Sequence, residues 1–589
     1  MKKSKRADLL IIFFVLFGLQ SGFSQSKQDT IRSSKSENVT IYGTSGPVIK
    51  RAARINFTPQ PYTFKSGSIP SVTDLNTIHE LPTEISLQPL KPLPVSTYIN
   101  EKKWNNVFYG GLGSRISPYI DFFHSKSEKN VYRWNMHIYH LSSFKNIKNY
   151  LPSSFSTTRA ETEVIRYLGF YLLKIKAGYT LKTLHYYGYN TTNDTLTYNK
   201  NDAVLKQVYQ LGAISLTFAS RYRSFEKIQH QIRLSAYSFF DKFGTSENNF
   251  TAAFDVHKAF DVTQIFNHQQ LGIRGRYQFF QNQNKYYGNK NNFISIMPYF
   301  DAKYGIFSFT AGAKFERLQE RITKLHIYPS LKVNINLIPE SFSVFGGIQG
   351  GLQKQSYRKL AFENPFLASY NNYFRWQNTR YEIYAGAKGN ISKKIGFMIK
   401  GGFRYFEDMP FFDYQRLYTF SGPTPFAPDS TTVQIQVKNA FHISYSGGNM
   451  SFVSGGITFH NSKNTNLWIT GEMNQYNLKN NAKPLYKPAF RLQLGGDLRL
   501  SDKLNVWTEM FFVSKRWASH RFTYYGSAFP SYYYQLPGYF DVNIGATLQL
   551  KNNWGSFVKV NNLLNKQYKI FNEYPVQGFQ LFLGITYRF

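Results

Sequence analysis

Gln577–Phe589 reads QGFQLFLGITYRF. Taken backwards from the terminus, every second residue is apolar: Phe589, Tyr587, Ile585, Leu583, Leu581, Phe579. Between them stand Arg588, Thr586, Gly584, Phe582 and Gln580. A strand turns successive side chains to opposite faces, so this one carries an apolar face with aromatics at both ends and a second face that is mostly small or polar. In a soluble sandwich the apolar face would meet a second sheet. In a membrane barrel it meets lipid, with aromatic girdles at the two interfaces.

The rest of the chain repeats the pattern. Tyr132, Trp134, Met136 and Ile138 alternate with Arg133, Asn135 and His137, and Leu492, Leu494, Leu498 and Leu500 oppose Gln493, Asp497 and Arg499. From Asn106 onward about 22 strand-like segments follow: 106–113, 115–126, 131–144, 158–171, 172–188, 204–220, 226–241, 246–261, 265–282, 291–304, 305–319, 322–338, 341–356, 373–391, 394–408, 440–460, 465–477, 486–500, 503–516, 536–550, 554–564 and 577–589. Connections after even-numbered segments are short, as at Ser127–Asn130, Pro339–Glu340 and Ser501–Asp502. The long ones follow odd-numbered segments: Lys145–Thr157, Tyr189–Ala203, Tyr357–Asn372, Met409–Asn439 and Trp517–Gln535. Short periplasmic turns and long external loops sort this way in outer-membrane barrels. The fold class is therefore all-β, a transmembrane antiparallel β-barrel of about 22 strands spanning 105–589, with both ends in the periplasm.

Composition agrees. The 589 residues include 54 Phe and 44 Tyr, yet mean hydropathy is negative and no long apolar run occurs past the first twenty residues. Barrel strands hide their hydrophobicity in alternation. With no cysteine, disulfides, thiolate metal sites and cysteine nucleophiles are excluded. The net charge of +36 favours contact with anions such as lipopolysaccharide phosphates, but the basic residues are dispersed and no nucleic-acid module is present.

Residues 1–24 read as a signal peptide: Lys2, Lys3, Lys5 and Arg6, then the apolar Leu9–Leu19, then Gly22 and Ser24 before a cut at Gln25. Residues 25–104 hold eight of the 23 prolines and alternate poorly. Proline removes a ladder donor, so this stretch is expected to be an extended segment in the periplasm or capping the lumen.

Val560–Phe589 resembles the closing segment of TonB-dependent receptors. The matching features are Asn562–Tyr568 (NLLNKQY), Tyr574–Pro575, Gly578 with Gly584, and the final Phe589; Glu363–Leu367 (ENPFL) is a weaker match. The resemblance implies an outer-membrane location in a Gram-negative bacterium, non-enzymatic transport, and contact with outer-membrane lipid and lipopolysaccharide. Receptors of this family carry a folded plug of more than a hundred residues ahead of the barrel. Here only about 80 proline-rich residues separate Gln25 from Trp104, so the chain is similar to plug-less relatives. The alternative is a structural subunit of an outer-membrane assembly or secretion complex with protein partners.

A lumen this wide needs filling. Segment 25–104, the loops Met409–Asn439 and Trp517–Gln535, and inward side chains such as Phe582 and Tyr328 are candidates. The second loop holds Tyr524, Tyr525, Phe529, Tyr532, Tyr533 and Tyr534, aromatic enough to contact glycan or protein. Enzyme motifs do not assemble. His79–Glu80 has Thr83 where a zinc-protease motif needs its second His. Gly43–Pro47 (GTSGP) lacks the last glycine of a nucleophile elbow. His137 and His140 fall on opposite faces of one strand. No catalytic, metal or cofactor-binding residues are assigned.

Overall fold

The computed structural model describes residues 104–192, 205–222, 227–260, 266, 268–284, 288–320, 322–369, 373–421, 434–461, 464–524, 527–528 and 531–589, with side chains at 416–421, 434–439, 481, 522–524 and 527–528 excepted. The signal peptide and nearly all of segment 25–104 lie outside these residues, as do Tyr525 and Phe529.

The 22 segments form one closed antiparallel sheet. Each strand pairs with the next, and the first, Asn106–Gly113, closes the ring on the last, Gln580–Arg588, with Leu112 opposite Leu583 and Phe108 opposite Tyr587. Strand ends agree with the alternation to within four residues, apart from one hairpin. There the fifteenth strand runs on to Ser421 and the sixteenth begins at Gln434, so Met409–Asn439 is not a free loop. Its sequence keeps presenting apolar residues, and Met409, Phe411, Phe412 and Tyr414 are all buried. The abutting boundaries at Tyr171/Leu172 and Tyr304/Gly305 resolve into two-residue turns. Gly169 and Gly305 sit there at φ +58° and +52°, a left-handed conformation that costs glycine nothing.

Closure removes every sheet edge, which is what a strand-built membrane protein requires. The outer wall is apolar. Leu583 and Ile585 on the last strand, Ile214 on the sixth, Ile383 on the fourteenth and Ile457 on the sixteenth all point outward and are exposed. Gln580, Phe582 and Thr586 point inward and are buried. The face read as lipid-facing from Phe579 to Phe589 is therefore the outer face, and the chain is an outer-membrane β-barrel. Inner-wall aromatics lie flat on glycines of adjacent strands, as Trp468 does on Gly495 and Trp507 on Gly545. This packing keeps large rings against the wall and pins register.

Leu583→Arg places a cation on the lipid face between Leu112 and Val558. The expected loss is about 2–4 kcal/mol near mid-membrane, read as a lower urea midpoint for the barrel folded into vesicles. The same change at Phe582, on the inner face, would report lumen packing instead.

Candidate functional site: the external lid

Twenty-two strands about 4.8 Å apart and tilted near 40° enclose a ring roughly 40 Å across. An opening that wide is spanned by the long connections. Three of them, between strands 5 and 6, 13 and 14, and 21 and 22, leave the rim at points 8, 8 and 6 strand positions apart around the ring of 22. They nevertheless touch. Phe366 stacks on Tyr574 with ring centroids 3.7 Å apart and planes 18° apart. Tyr187 meets both edge-on, at 5.6 Å from Phe366 and 5.1 Å from Tyr574. Loops starting a third of the circumference apart can meet only over the middle of the opening, so this aromatic triad marks the centre of a lid.

Hydrogen bonds tie the same loops. The Tyr186 hydroxyl donates to the Leu367 carbonyl (2.9 Å), and the Tyr187 hydroxyl donates to the Pro575 carbonyl (2.7 Å). Residues 366–368 pair with the long hairpin: Ala368 N–H donates to Phe441 O (2.8 Å) and Phe441 N–H to Phe366 O (3.0 Å). Phe571 packs on Phe441 and Tyr486, each at 5.4 Å. Burial pushes the hydroxyls of Tyr187 and Tyr574 well above the usual phenol range, so both stay protonated and able to donate. The buried Arg516 guanidinium donates to the carbonyls of Ile570 (3.1 Å) and Lys569 (2.9 Å), holding the hairpin Lys569–Phe571/Tyr574–Pro575.

The lid also reaches the far rim. The helix Tyr357–Glu363, capped by the Ser356 hydroxyl, crosses toward strands 7 and 8. There Tyr357 N–H donates to Glu247 (2.7 Å) and the Tyr357 hydroxyl donates to Asp241. Together these loops bury one continuous apolar core from Ile147 to Val576.

The two stretches that carried the family resemblance lie in this lid and meet there: Phe366 and Leu367 of ENPFL, and Tyr574–Pro575. Asn562 of the closing box sits at φ +48°. Its side-chain amide donates to the carbonyls of Lys566 (2.8 Å) and Gln577 (3.0 Å). Tyr568 donates to Asp541 (2.6 Å) and stacks on Tyr539 at 4.0 Å. The box is thus a clamp that launches the last loop toward the axis. Sequence reading missed Tyr186, Tyr187 and Phe441; the run Tyr186–Tyr189 (YYGY), too apolar for a solvated loop, was the available sign. Gly188 within it leaves room for the Tyr574 ring.

Of the external-loop aromatics, Tyr532 and Tyr533 are exposed, at 68% and 46%. They lie on a hairpin, Arg516–Tyr524 with Tyr532–Leu536, where a free loop was expected. Tyr534 turns inward to Asn572 and belongs to the lid. The Tyr524 side chain falls outside the described residues. Phe582 and Tyr328 are buried on the inner wall. His137 bonds Asp121 and His140 bonds Thr158, on opposite faces of their strand.

Fold and lid together define a class: an outer-membrane barrel of receptor size with a folded external cover. No protein-family model matches the chain, and no curated protein does. Solved structures do. The siderophore receptor PirA from Acinetobacter baumannii is 10% identical, with a TM-score of 0.57 over 82% of this chain and 80% of that one. The FrpB iron transporter from Neisseria meningitidis is 11% identical, with a TM-score of 0.56 over 85% and 82%. The pyoverdine outer membrane receptor FpvA from Pseudomonas aeruginosa is 11% identical, with a TM-score of 0.58 over 82% and 78%. At such identities the likeness is one of fold, and it is the fold the closing-strand resemblance implies.

Proposed function

We propose that the protein is a non-enzymatic outer-membrane barrel that acts in transport across or within the outer membrane, shut at its outer mouth by its own lid. The supporting observation is the triad Tyr187–Phe366–Tyr574 over the lumen axis. The receptors and transporters of like fold support transport rather than catalysis. In this reading the barrel works without a folded plug, and closure falls to the lid and to segment 25–104. Tyr532 and Tyr533, raised on the outer hairpin, are the proposed contacts for glycan or protein, and the apolar belt contacts outer-membrane lipid and lipopolysaccharide.

One observation favours a second reading, a structural subunit of an assembly or secretion complex. The lid is cross-linked by a continuous core, as a permanent cover would be. Conductance of the purified full-length protein in planar bilayers tests the primary reading. Rare, brief openings are expected; a steady large pore would contradict the lid. Recovery of stoichiometric companions in mild detergent, with a silent barrel, would select the structural role.

A further inference from the structure

Closure removes the edges of the barrel wall but not those of the hairpin raised above it. Among the described residues Tyr532–Leu536 pairs only with Arg516–Tyr524, so its other side is an open edge. The register shows which groups lie along it. The Trp517 carbonyl accepts from the Tyr486 N–H (2.8 Å), on the side away from Tyr532–Leu536. Facing residues of an antiparallel pair alternate between bonded and unbonded. The bonded pairs across the hairpin are therefore Arg516/Leu536, Ala518/Tyr534 and His520/Tyr532, and the unbonded ones are Trp517/Gln535 and Ser519/Tyr533. The N–H and C=O groups of Tyr533 and Gln535 consequently face the open edge. No backbone group among the described residues bonds to them.

The edge is firmly seated and unguarded. Leu536 is buried and Tyr534 turns in to Asn572, which fixes the strand on the lid, while Tyr533 and Gln535 are exposed. Natural edges carry a charge, a proline or a bulge that turns pairing away; Tyr532–Leu536 (YYYQL) has none of these. Its setting is basic. Ser514–Gly538 contains Lys515, Arg516 and Arg521 and no acid. Asp413 answers Arg521 (3.2 Å) and Arg516 is held on lid carbonyls, which leaves the exposed Lys515 without a carboxylate among the described residues. Lys566 is also exposed, two residues before Tyr568, whose ring stacks on Tyr539 just past the foot of the strand.

We propose that this edge is a docking site for an extended, acidic peptide segment of a partner protein, which adds a strand beside Tyr532–Leu536. Backbone bonds to Tyr533 and Gln535 supply the affinity, and Lys515 and Lys566 select acidic side chains. The proposal rests on the reading of Tyr532 and Tyr533 as outer contacts and commits it to protein; it is independent of transport. Fluorescence anisotropy on the folded full-length protein in detergent tests it, with the labelled peptides Thr-Glu-Val-Glu-Val-Thr and Thr-Lys-Val-Lys-Val-Thr as probes. Saturable binding of the acidic peptide below about 1 mM is expected, about tenfold or more tighter than that of the basic one. Gln535→Pro removes an N–H from the open edge and none from the pairing with Arg516–Tyr524, and an edge position accepts proline. It is expected to weaken binding about tenfold or more. An absence of saturable binding, or equal affinity in Gln535→Pro, overturns the proposal. Binding weakened by Tyr532→Ala and Tyr533→Ala but not by Gln535→Pro keeps the tyrosines as contacts and overturns the edge. Should Gln535→Pro unseat the hairpin, Lys515→Glu decides: a shift in preference toward the basic peptide upholds the site, and an unchanged preference overturns it.

Discussion

Phe366→Ala is expected to loosen the lid by about 3–5 kcal/mol while leaving the barrel folded. The ring is 1% exposed. It stacks on Tyr574 and meets Tyr187 edge-on, so truncation opens a cavity at a point where three loops touch. Neighbouring backbone cannot collapse into the space easily, because residues 366–368 are pinned to Phe441 on one side and Leu367 to Tyr186 on the other. Local opening draws on local stability rather than on that of the whole sheet. The open population should therefore rise roughly a hundred- to several-thousandfold. Protease added from outside to vesicles carrying the folded barrel reads this directly. Cleavage within 355–375 should accelerate while the strands stay resistant, and brief large openings should appear in planar bilayers. Tyr574→Ala should act alike, and the double variant should fall short of additivity by about 0.5–1.5 kcal/mol, the worth of a stacked pair. A cleavage rate unmoved by Phe366→Ala would mean that the lid is held by its rim contacts and that the triad only fills space.

Much of this architecture was legible in the chain, and the boundary of legibility has a physical cause. Lipid imposes a binary choice on every outward position, so alternation in segments such as Leu492–Leu500 reports strand, face and register at once. The parity of the connections then fixes the strand count and which end each loop occupies. No such rule governs the lid. Its contacts join residues as distant as Tyr187 and Tyr574, and a loop's alternation does not say what it packs against. Met409–Asn439 was misread for that reason: strand pairing there continues beyond the membrane, where the neighbour of the apolar face is Phe441 and Phe571 rather than lipid. The ENPFL stretch and the Tyr574–Pro575 pair were visible as resemblances, yet their meeting required the fold.

Glu382 lies inside the wall at 1% exposure, between Lys400 (3.1 Å) and Arg404 (2.7 Å to Nε). It faces Arg404 in the register of strands 14 and 15. Lys400 Nζ also sits over the Tyr384 ring (4.1 Å) and the Phe452 ring (5.1 Å). Two cations and one carboxylate here share a pocket walled by aromatics, so removing the carboxylate charge leaves like charges facing each other with little water to screen them. Glu382→Gln is expected to lower barrel stability by about 3–5 kcal/mol, whereas replacing the whole triad by Leu and Met should be neutral or stabilising by about 1–4 kcal/mol. Urea unfolding of the barrel in vesicles separates the two outcomes by the direction of the midpoint shift. If Glu382→Gln proves as stable as the parent, water must reach the triad, and the wall behind strands 14 and 15 lines a wet lumen instead of a packed one. That result would also bear on the lid: a wet lumen under a shut cover makes the cover the barrier, while a packed wall shares that task. The Glu382 and Phe366 variants thus assign the closure of this barrel to two different layers, and each can fail without the other.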